Sequence, residues 1–367
     1  MNVTVSSMFF ALLASSILIV ILHYILVNKR SYKKLRIDFL SVIIFIIVIR
    51  LCFPSETFYT ITITTPFFMN PITEFLKMKV FHDISILHIL IIIWIIGICI
   101  RGKKLFNQIN QTNYLFDCIK RKGERKEIKD YLPEYQGKNY PIFVSEFVSS
   151  PMVLLFKKAI LLPNIKYSQI ETSNILYHEI SHLSQHDAII KRFIQLLTIL
   201  YWWFPLIYIL EKQINLYLEL RVDSKISSKM TKEESLQYMN TLLSVKRKNS
   251  DASLFPFSQV SSFVIMENKD VLKFRIEYFL EGNFRNKTKK PVLFILLILF
   301  FCSNIIIFEP GYPNSDLIES TFTETEFDYL LHKKDGTYVL VLKDGSTLGT
   351  ISDISSPEFK DLEIKEE

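Results

Sequence analysis

The segment Ile175-Leu-Tyr-His-Glu-Ile-Ser-His182 carries two histidines and a glutamate at a spacing suited to metal chemistry. His178 and His182 are four residues apart, so in a helix both imidazoles leave the same face and can bind one metal ion. Glu179 lies roughly 100° around the helix, where its carboxylate can act as a catalytic general base rather than as a ligand. Because histidine pairs on a helix face are otherwise usually solvated, this interpretation needs a third ligand.

The segment Leu216-Tyr-Leu-Glu-Leu-Arg-Val-Asp223 offers that ligand in Glu219. Asp223 lies one helical turn later, where a carboxylate can accept the second ring N–H of a ligating histidine and fix its tautomer. Asp187 follows the histidine motif by about one turn and is expected to cap a helix or to orient a ligand in the same way. An ordinary polar pair on an amphipathic helix is the alternative for Glu219 and Asp223. Two imidazoles and one carboxylate favour Zn²⁺, one ion per chain.

The composition argues against an ordinary soluble protein. Apolar residues make up 49% of the 367 residues, aromatic residues 14%, and the mean hydropathy is +0.24. Several apolar runs approach the roughly 20 residues needed to cross a hydrocarbon core. The four runs cover residues 8–27, 39–53, 84–100 and 292–308. The sequence therefore predicts four transmembrane helices.

The distribution of charge predicts which side of the membrane each segment occupies. The net charge is +6, yet the segment from Glu309 onwards carries 14 acidic and 5 basic residues. Basic clusters at 29–36, 101–104 and 285–290 all fall on one side if the spans alternate, and such short positive segments stay in the cytoplasm. Membrane topology therefore explains the basic body and the acidic tail more simply than nucleic-acid binding does. The run Lys246-Arg-Lys248 is too short to change this, so no nucleic-acid partner is expected.

The resulting organisation has four parts, with the N-terminus and the C-terminal tail outside. They are a three-span region (1–100), a cytoplasmic domain (101–290), a fourth transmembrane helix (291–308) and a short acidic extracytoplasmic tail (309–367).

Secondary-structure patterns place the candidate site on helices. Short apolar runs at 142–144, 152–156 and 159–162 predict strands, and a helical period runs from Ser168 to about Ile190. The apolar stretch 193–210 is interrupted by Trp202-Trp-Phe-Pro205, which predicts a hairpin dipping into the membrane interface. A buried helix pair of a soluble domain is the alternative there. In the tail, Tyr338-Val-Leu-Val-Leu342 followed by Lys343-Asp-Gly-Ser346 predicts a small β-hairpin.

Four motifs, in this order and spacing, resemble the BlaR/MecR-type membrane metallopeptidases. They are Ser150-Pro151 through Ile160-Leu-Leu-Pro163, Tyr177-His-Glu-Ile-Ser-His-Leu-Ser-Gln-His-Asp187, Trp203-Phe-Pro-Leu206 and Glu219-Leu-Arg-Val-Asp223. The resemblance covers about residues 1–310. Three departures are Leu155-Phe156 in place of a glycine, no asparagine before Pro205, and Val222 in place of a cysteine; none removes a metal ligand. The tail is too short for a penicillin-binding sensor, so β-lactam sensing does not carry over.

This resemblance implies a mainly α multi-pass membrane protein with four transmembrane helices. It further implies a cytoplasmic α+β metallopeptidase domain of the gluzincin type, in which Glu219 is the third zinc ligand. The implied activity is peptide-bond hydrolysis at the cytoplasmic face, in regulated proteolysis and signal transduction. The expected partners are the lipid bilayer, a peptide or protein substrate such as a cytoplasmic transcriptional regulator or the chain itself, and a second copy in a homodimer.

Two alternatives stay open. One is a transmembrane signalling receptor whose zinc site is structural or vestigial. The other is a housekeeping membrane protease of the Ste24/HtpX type, which shares the histidine motif and a Glu-x-x-x-Asp helix but lacks the external tail and the preceding strands.

Overall fold

The computed structural model of the protein describes residues 4–28, 36–54, 60–154, 157–251, 269–280, 288–302, 306–310, 327–333, 338–342, 347–351 and 362–366. Over these residues the chain is mostly helical, with small sheets of mixed pairing. It divides into two compact units. One comprises Met1–Ile63 and Phe75–Ile307, and the other comprises Thr64–Glu74 and Phe308–Glu367.

Long apolar helices dominate the N-terminal third. Its described elements are α1 (Val5–Val27), α2 (Ile37–Cys52), β1 (Ile61–Thr64), α3 (Pro66–Lys77), β2 (Lys79–Phe81), β3 (Ile84–Ser85) and α4 (Ile86–Lys122). Among the described residues, α1 and α4 are the two helices that are long and apolar enough to cross a membrane. Helix α4 continues more than 20 residues beyond its apolar stretch and ends with three basic residues, which suit the negative end of a helix dipole.

A four-stranded sheet follows α4. Its strands are β4 (Glu124–Glu127), β5 (Pro141–Ser145), β6 (Met152–Leu154) and β7 (Ala159–Pro163), with the short helix α5 (Ile128–Tyr131) between the first two. The strand order is β4-β5-β7-β6, with β5 and β7 parallel and the outer pairs antiparallel. Strand β7 is buried along its whole length, as expected for an apolar central strand. The three predicted strands are confirmed, and β6 lies at an edge.

Helices α6 (Gln169–Ser184), α7 (Asp187–Leu200), α8 (Leu206–Ser227), α9 (Lys232–Asp251) and α10 (Lys269–Leu280) come next. Helix α6 begins at Ser168, whose hydroxyl accepts the Glu171 N–H (3.2 Å) while the Glu171 carboxylate accepts the Ser168 N–H (2.8 Å). Its apolar residues pack on the sheet, Ile175 and Leu176 in one core cluster with residues of β5 and β7. His178 and His182 leave α6 on a different side from Leu176.

The helical prediction from Ser168 to Ile190 is confirmed except for one break, because α6 ends at Ser184 and a separate helix begins at Asp187. His186 between them has φ of 57°, in the left-handed region, and this residue turns the chain. No glycine or proline marks the break, and the apolar period continues across it, so the pattern suggested one helix.

The predicted interruption of residues 193–210 is confirmed, because α7 ends at Leu200 and Pro205 immediately precedes α8. The two helices form a hairpin whose tip, at Tyr201 to Pro205, binds two other helices. The Tyr201 hydroxyl donates to the carbonyl of Leu51 in α2 (2.7 Å), and the Trp202 indole N–H donates to the carbonyl of Trp94 in α4 (3.2 Å). Along its length the hairpin shares one apolar core with α1 and α2.

Helix α11 (Lys290–Cys302) is followed by strand β8 (Ile306–Glu309), which pairs with β1. The apolar run 292–308 was predicted to form one transmembrane helix, and this is corrected because its last residues form a strand. The remaining strands are β9 (Phe327–His332), β10 (Tyr338–Leu342), β11 (Thr347–Ile351) and β12 (Glu363–Glu366), in the order β11-β10-β9-β12. The predicted hairpin is the antiparallel β10–β11 pair, within a larger sheet. Predictions at 29–35, 155–156, 285–287, 303–305 and 343–346 lie outside the described residues.

Gly97 of α4 lies directly against the indole of Trp202, and a methyl group at this position would overlap the ring. We expect Gly97→Ala to lower the free energy of unfolding by about 1–3 kcal/mol, because the ring cannot move away without losing its bond to Trp94. Gly102→Ala on the same helix is the control, since nothing lies within 4 Å of its added methyl group. Thermal unfolding in detergent measures both variants. An unchanged melting temperature for Gly97→Ala would contradict this packing.

Candidate metal centre

The histidine motif lies in the C-terminal half of α6, with His182 in the last turn. His178, Glu179 and His182 are all buried, with 6–8% of each residue exposed. The Nε2 atoms of the two histidines are 3.1 Å apart. Two nitrogens bound tetrahedrally to one zinc ion at 2.0–2.1 Å would be separated by about 3.3 Å, so this pair fits the ion.

Helix α8 brings Glu219 to the same point. Its Oε2 atom is 3.4 Å from Nε2 of His178 and 3.6 Å from Nε2 of His182. Among the described residues these three form the group whose ligand atoms all lie within 4.8 Å of one another. The donor set of two imidazole nitrogens and one carboxylate oxygen suits zinc and could hold one ion.

Asp187 fixes the ring of His182. Its Oδ2 atom lies 2.7 Å from Nδ1 of that ring and accepts the Nδ1–H, which leaves the Nε2 lone pair for a metal ion. The Arg221 guanidinium of α8 donates to the other Asp187 oxygen, so the carboxylate is paired on both sides. Asp187 is also the first residue of α7, and its position therefore depends on the break at His186.

The ring of His178 is fixed less directly than the sequence suggested. Asp223 lies 3.6 Å from Nδ1, whereas the Tyr238 hydroxyl of α9 lies 2.8 Å from it. Tyr238 donates its own hydrogen to Asp223 (2.7 Å), so its oxygen accepts the Nδ1–H of His178. A tyrosine from a separate helix thus joins the histidine to the carboxylate.

Two cations flank the carboxylates of α8. Arg275 of α10 donates from Nε to Oδ2 of Asp223 (2.7 Å) and from Nη2 to Oδ1 (2.8 Å), and its Nη1 atom is 3.3 Å from Oε2 of Glu219. Lys191 of α7 places Nζ 3.7 Å from Oε1 of Glu219. Tyr238, Arg275 and Lys191 could not be recognised from the sequence, because none belongs to a motif and two of them come from helices far along the chain.

Burial and neighbouring charges together shift the pKa values of the cluster. Burial raises the pKa of Glu179, an effect that His178 and His182 partly oppose. Burial alone would also raise the pKa of Glu219, but the imidazoles and Arg275 hold that pKa well below its ordinary value. Burial, with the Asp223 charge, raises the pKa of Tyr238 well above its ordinary value, so its hydroxyl stays a neutral donor. Glu219 is therefore an ionised ligand candidate, while Glu179 is a carboxylate with increased affinity for a proton.

A family profile described as BlaR1 peptidase M56 matches residues 12–279, more than half of the chain. The chain belongs to this family. The matched range contains the three candidate ligands and also reaches the whole of α9 and nearly all of α10, the helices that supply Tyr238 and Arg275. Membership in BlaR1 peptidase M56 supports a metallopeptidase fold, consistent with the metal-binding geometry of the cluster.

Several proteins are similar to this member of BlaR1 peptidase M56. The methicillin resistance mecR1 protein of Staphylococcus aureus strain Mu50 is 24% identical over 177 residues, which cover 44% of this chain and 29% of that protein. The regulatory protein BlaR1 of Bacillus licheniformis is 31% identical over 124 residues, covering 32% and 20%. The regulatory protein BlaR1 of Staphylococcus aureus is 24% identical over 243 residues, covering 63% and 40%. The chain thus spans less than half the length of these relatives.

Tyr238→Phe removes the hydroxyl that joins His178 to Asp223. We expect the variant to bind zinc about 10–100-fold more weakly, because groups that orient metal ligands typically contribute that much. Tyr177→Phe is the matched control, since it removes a tyrosine hydroxyl next to His178 in the sequence, from a residue that is 40% exposed. Zinc affinity is measured by competition with a chromophoric chelator. Equal affinities for the two variants would show that the hydroxyl does not orient the ring.

Glu171 ties the start of α6 to α9, because its carboxylate accepts hydrogen bonds from Ser244 and Lys248. Burial alone would raise the pKa of this carboxyl, but the bonds from Lys248, Ser244 and the Ser168 N–H lower it from 4.5 to about 2. Since the folded pKa is depressed, the charge stabilises the fold above about pH 4.5, and the contribution is lost as the pH falls towards 2.

Glu171→Gln should therefore lower the melting temperature at pH 7, and its difference from the wild type should shrink as the pH falls from about 5 to about 3. Glu233→Gln, at the exposed start of α9, is the control and should show little difference at any pH. Melting temperatures of the detergent-solubilised protein across this range test the expectation. A Glu171→Gln difference that stays constant with pH would contradict it.

Proposed function

We propose that this protein is an integral-membrane zinc metalloendopeptidase that hydrolyses peptide bonds at the cytoplasmic face of the bacterial inner membrane. The convergence of His178, His182 and Glu219 supports this most strongly. Structural zinc sites usually have four protein ligands, whereas catalytic sites have three and keep one position open. The described residues offer three at this point, which favours catalysis over the structural zinc site of a receptor.

In the proposed reaction a zinc ion, when bound, supplies Lewis acidity that polarises the scissile carbonyl and acidifies water. Glu179 accepts the proton of the attacking water and then donates it to the leaving amine. Burial suits this role, because it raises the pKa of the carboxyl towards the operating pH. Asp187 and Tyr238 keep the two imidazoles in the tautomer that directs Nε2 at the ion.

We infer that substrate binds along β6. This strand pairs with β7 on one side and lies against α6, and no described strand pairs with its other side. A free strand edge can bind an extended peptide through backbone hydrogen bonds. The peptide would then run beside the helix that carries Glu179.

We further propose four membrane spans, α1, α2, α4 and α11, with the metal centre on the cytoplasmic side. Helices α1 and α4 have sufficient length and hydropathy. Helices α2 and α11 are shorter, but α2 packs against α1 and α8, and α11 packs against α2, which favours one apolar bundle. With alternating spans, every basic cluster adjoins the same membrane face.

In this topology the α7–α8 hairpin enters the bilayer deeply and returns. Leu51, bound by the hairpin tip, lies at the extracytoplasmic end of α2, and Trp94 lies about 12 Å into α4 from its own outer end, at 1.5 Å per residue. The outward side of the hairpin is apolar, with Ile189, Phe193 and Leu196 each more than 40% exposed, as expected for contact with lipid. A hairpin returns to its starting side, so both halves of the site stay together.

For the biological role we propose regulated proteolysis of a cytoplasmic transcriptional regulator, of the chain itself, or of both. Two of the relatives are named regulatory proteins, which favours a regulatory role over housekeeping proteolysis. A homodimer and the signalling receptor with an inactive zinc site stay as hypotheses, and peptide turnover distinguishes the receptor from the peptidase.

Glu179→Gln should abolish measurable cleavage while zinc stays bound, because the amide cannot accept the proton. We expect turnover of a fluorogenic peptide library by the purified full-length protein to fall by about 10²–10⁴-fold. Zinc content, measured by mass spectrometry of the metal, should remain at the wild-type level.

The control is His186→Asn, an exposed residue beside the motif whose positive φ asparagine tolerates. This variant should keep wild-type turnover. Retained cleavage by Glu179→Gln would refute the mechanism. A wild-type protein that binds zinc but cleaves no peptide would instead favour the receptor.

A further inference from the structure

Arg275 is among the most deeply buried charged residues described, at 2% exposure, and it reaches both carboxylates on the metal side of α8. Its guanidinium forms a two-pronged contact with Asp223 through Nε and Nη2. The third nitrogen, Nη1, lies 3.3 Å from Oε2 of Glu219, the same oxygen that faces both histidines. One side chain therefore spans the candidate ligand and the carboxylate that holds Tyr238.

These contacts reduce the repulsion between two buried carboxylates on α8. Glu219 and Asp223 lie one turn apart on the same face, where like charges repel, and both are largely removed from water. A buried carboxylate without a positive partner would be strongly unfavourable. Lys191 also approaches Glu219, but at 3.7 Å, through the other oxygen and from a side chain that is 26% exposed. Arg275 is the stronger constraint on the ligand oxygen.

The planar guanidinium is suited to this task in a way that an ammonium group is not. Its nitrogens have a fixed fork geometry, so the pair bound to Asp223 determines where Nη1 points. The same fork holds Asp223 in place for Tyr238, and Tyr238 in turn holds the ring of His178. Two of the three candidate ligands thus depend on the position of Arg275.

We propose that Arg275 is a positioning residue of the metal centre, which sets the placement of the Glu219 oxygen directly and the orientation of His178 through Asp223 and Tyr238. It is too deeply buried to contact a peptide, so it acts on the ligands and not on substrate. The inference rests on the proposed zinc site but not on peptide hydrolysis. It also makes α10, the described helix that precedes α11, part of the metal centre.

The test measures metal binding by the full-length protein in detergent, after zinc is removed with a chelator and returned at buffered free concentrations. Arg275→Gln should bind zinc about 10–100-fold more weakly than the wild type. Arg275→Lys keeps a buried positive charge but cannot bridge both carboxylates, and should show an intermediate loss. Lys273→Gln, an exposed residue two positions away on the same helix, should bind zinc normally.

Cobalt substitution separates positioning from general destabilisation. The visible bands of bound Co²⁺ report its ligand geometry, and Glu219→Gln provides the spectrum of a site that has lost its carboxylate ligand. We expect Arg275→Gln to shift the bands towards that spectrum, whereas Lys273→Gln should leave them unchanged. Thermal unfolding in the presence of chelator checks that each variant is folded.

Wild-type zinc affinity and an unaltered cobalt spectrum in folded Arg275→Gln would overturn the proposal. Should that variant fail to fold, Arg275→Lys decides, because wild-type affinity in this variant would equally overturn it. A wild-type protein that binds no zinc would overturn the metal centre and this inference together. A wild-type protein that binds zinc without cleaving peptides would count against the proposed peptidase only. Weaker zinc binding by Arg275→Gln would still support the role of Arg275 in that case.

Discussion

Carboxylates are costly to bury unless each has a positive partner, and the candidate metal centre concentrates four of them in one cluster. The acidic residues are Glu179, Asp187, Glu219 and Asp223, and the cations beside them are Lys191, Arg221 and Arg275. Four carboxyl groups thus face three basic side chains, and a divalent cation would supply the missing positive charge. The hydrogen bonds to the histidines and the ion pairs of α7, α8 and α10 all lower the cost of burying these carboxylates.

The two halves of the cluster could be predicted from the sequence to different extents. Two histidines at i and i+4, followed by Glu219 and Asp223 on a later helix, are local patterns, and helix geometry alone places each pair on one face. Tyr238 and Arg275 carry no such pattern, because their roles arise only when α9 and α10 fold back onto α8. The break at His186 was missed for a related reason. A left-handed residue other than glycine leaves no mark on apolar periodicity.

The fold shows the same division between local and long-range information. The strands of 141–163 and the interruption before Pro205 follow from short apolar runs and from the geometry of proline. The sheet order, which leaves β6 at an edge, depends on pairing between strands that are not consecutive in the chain. The hydrogen bonds of the hairpin tip with α2 and α4 join residues more than 100 positions apart. Where a residue's role is decided by a partner that far away, a single sequence carries little information about it.

The apolar core that the hairpin shares with α1 and α2 means that the segment carrying the candidate metal centre is not a detachable module. A fragment beginning after the first three apolar runs would keep α7 and α8 but lose the helices that cover their inner side. Separating these parts would expose a long apolar surface and favour aggregation or degradation of the fragment. The stability of the segment that carries His178, His182 and Glu219 thereby depends on the first two apolar helices of the chain.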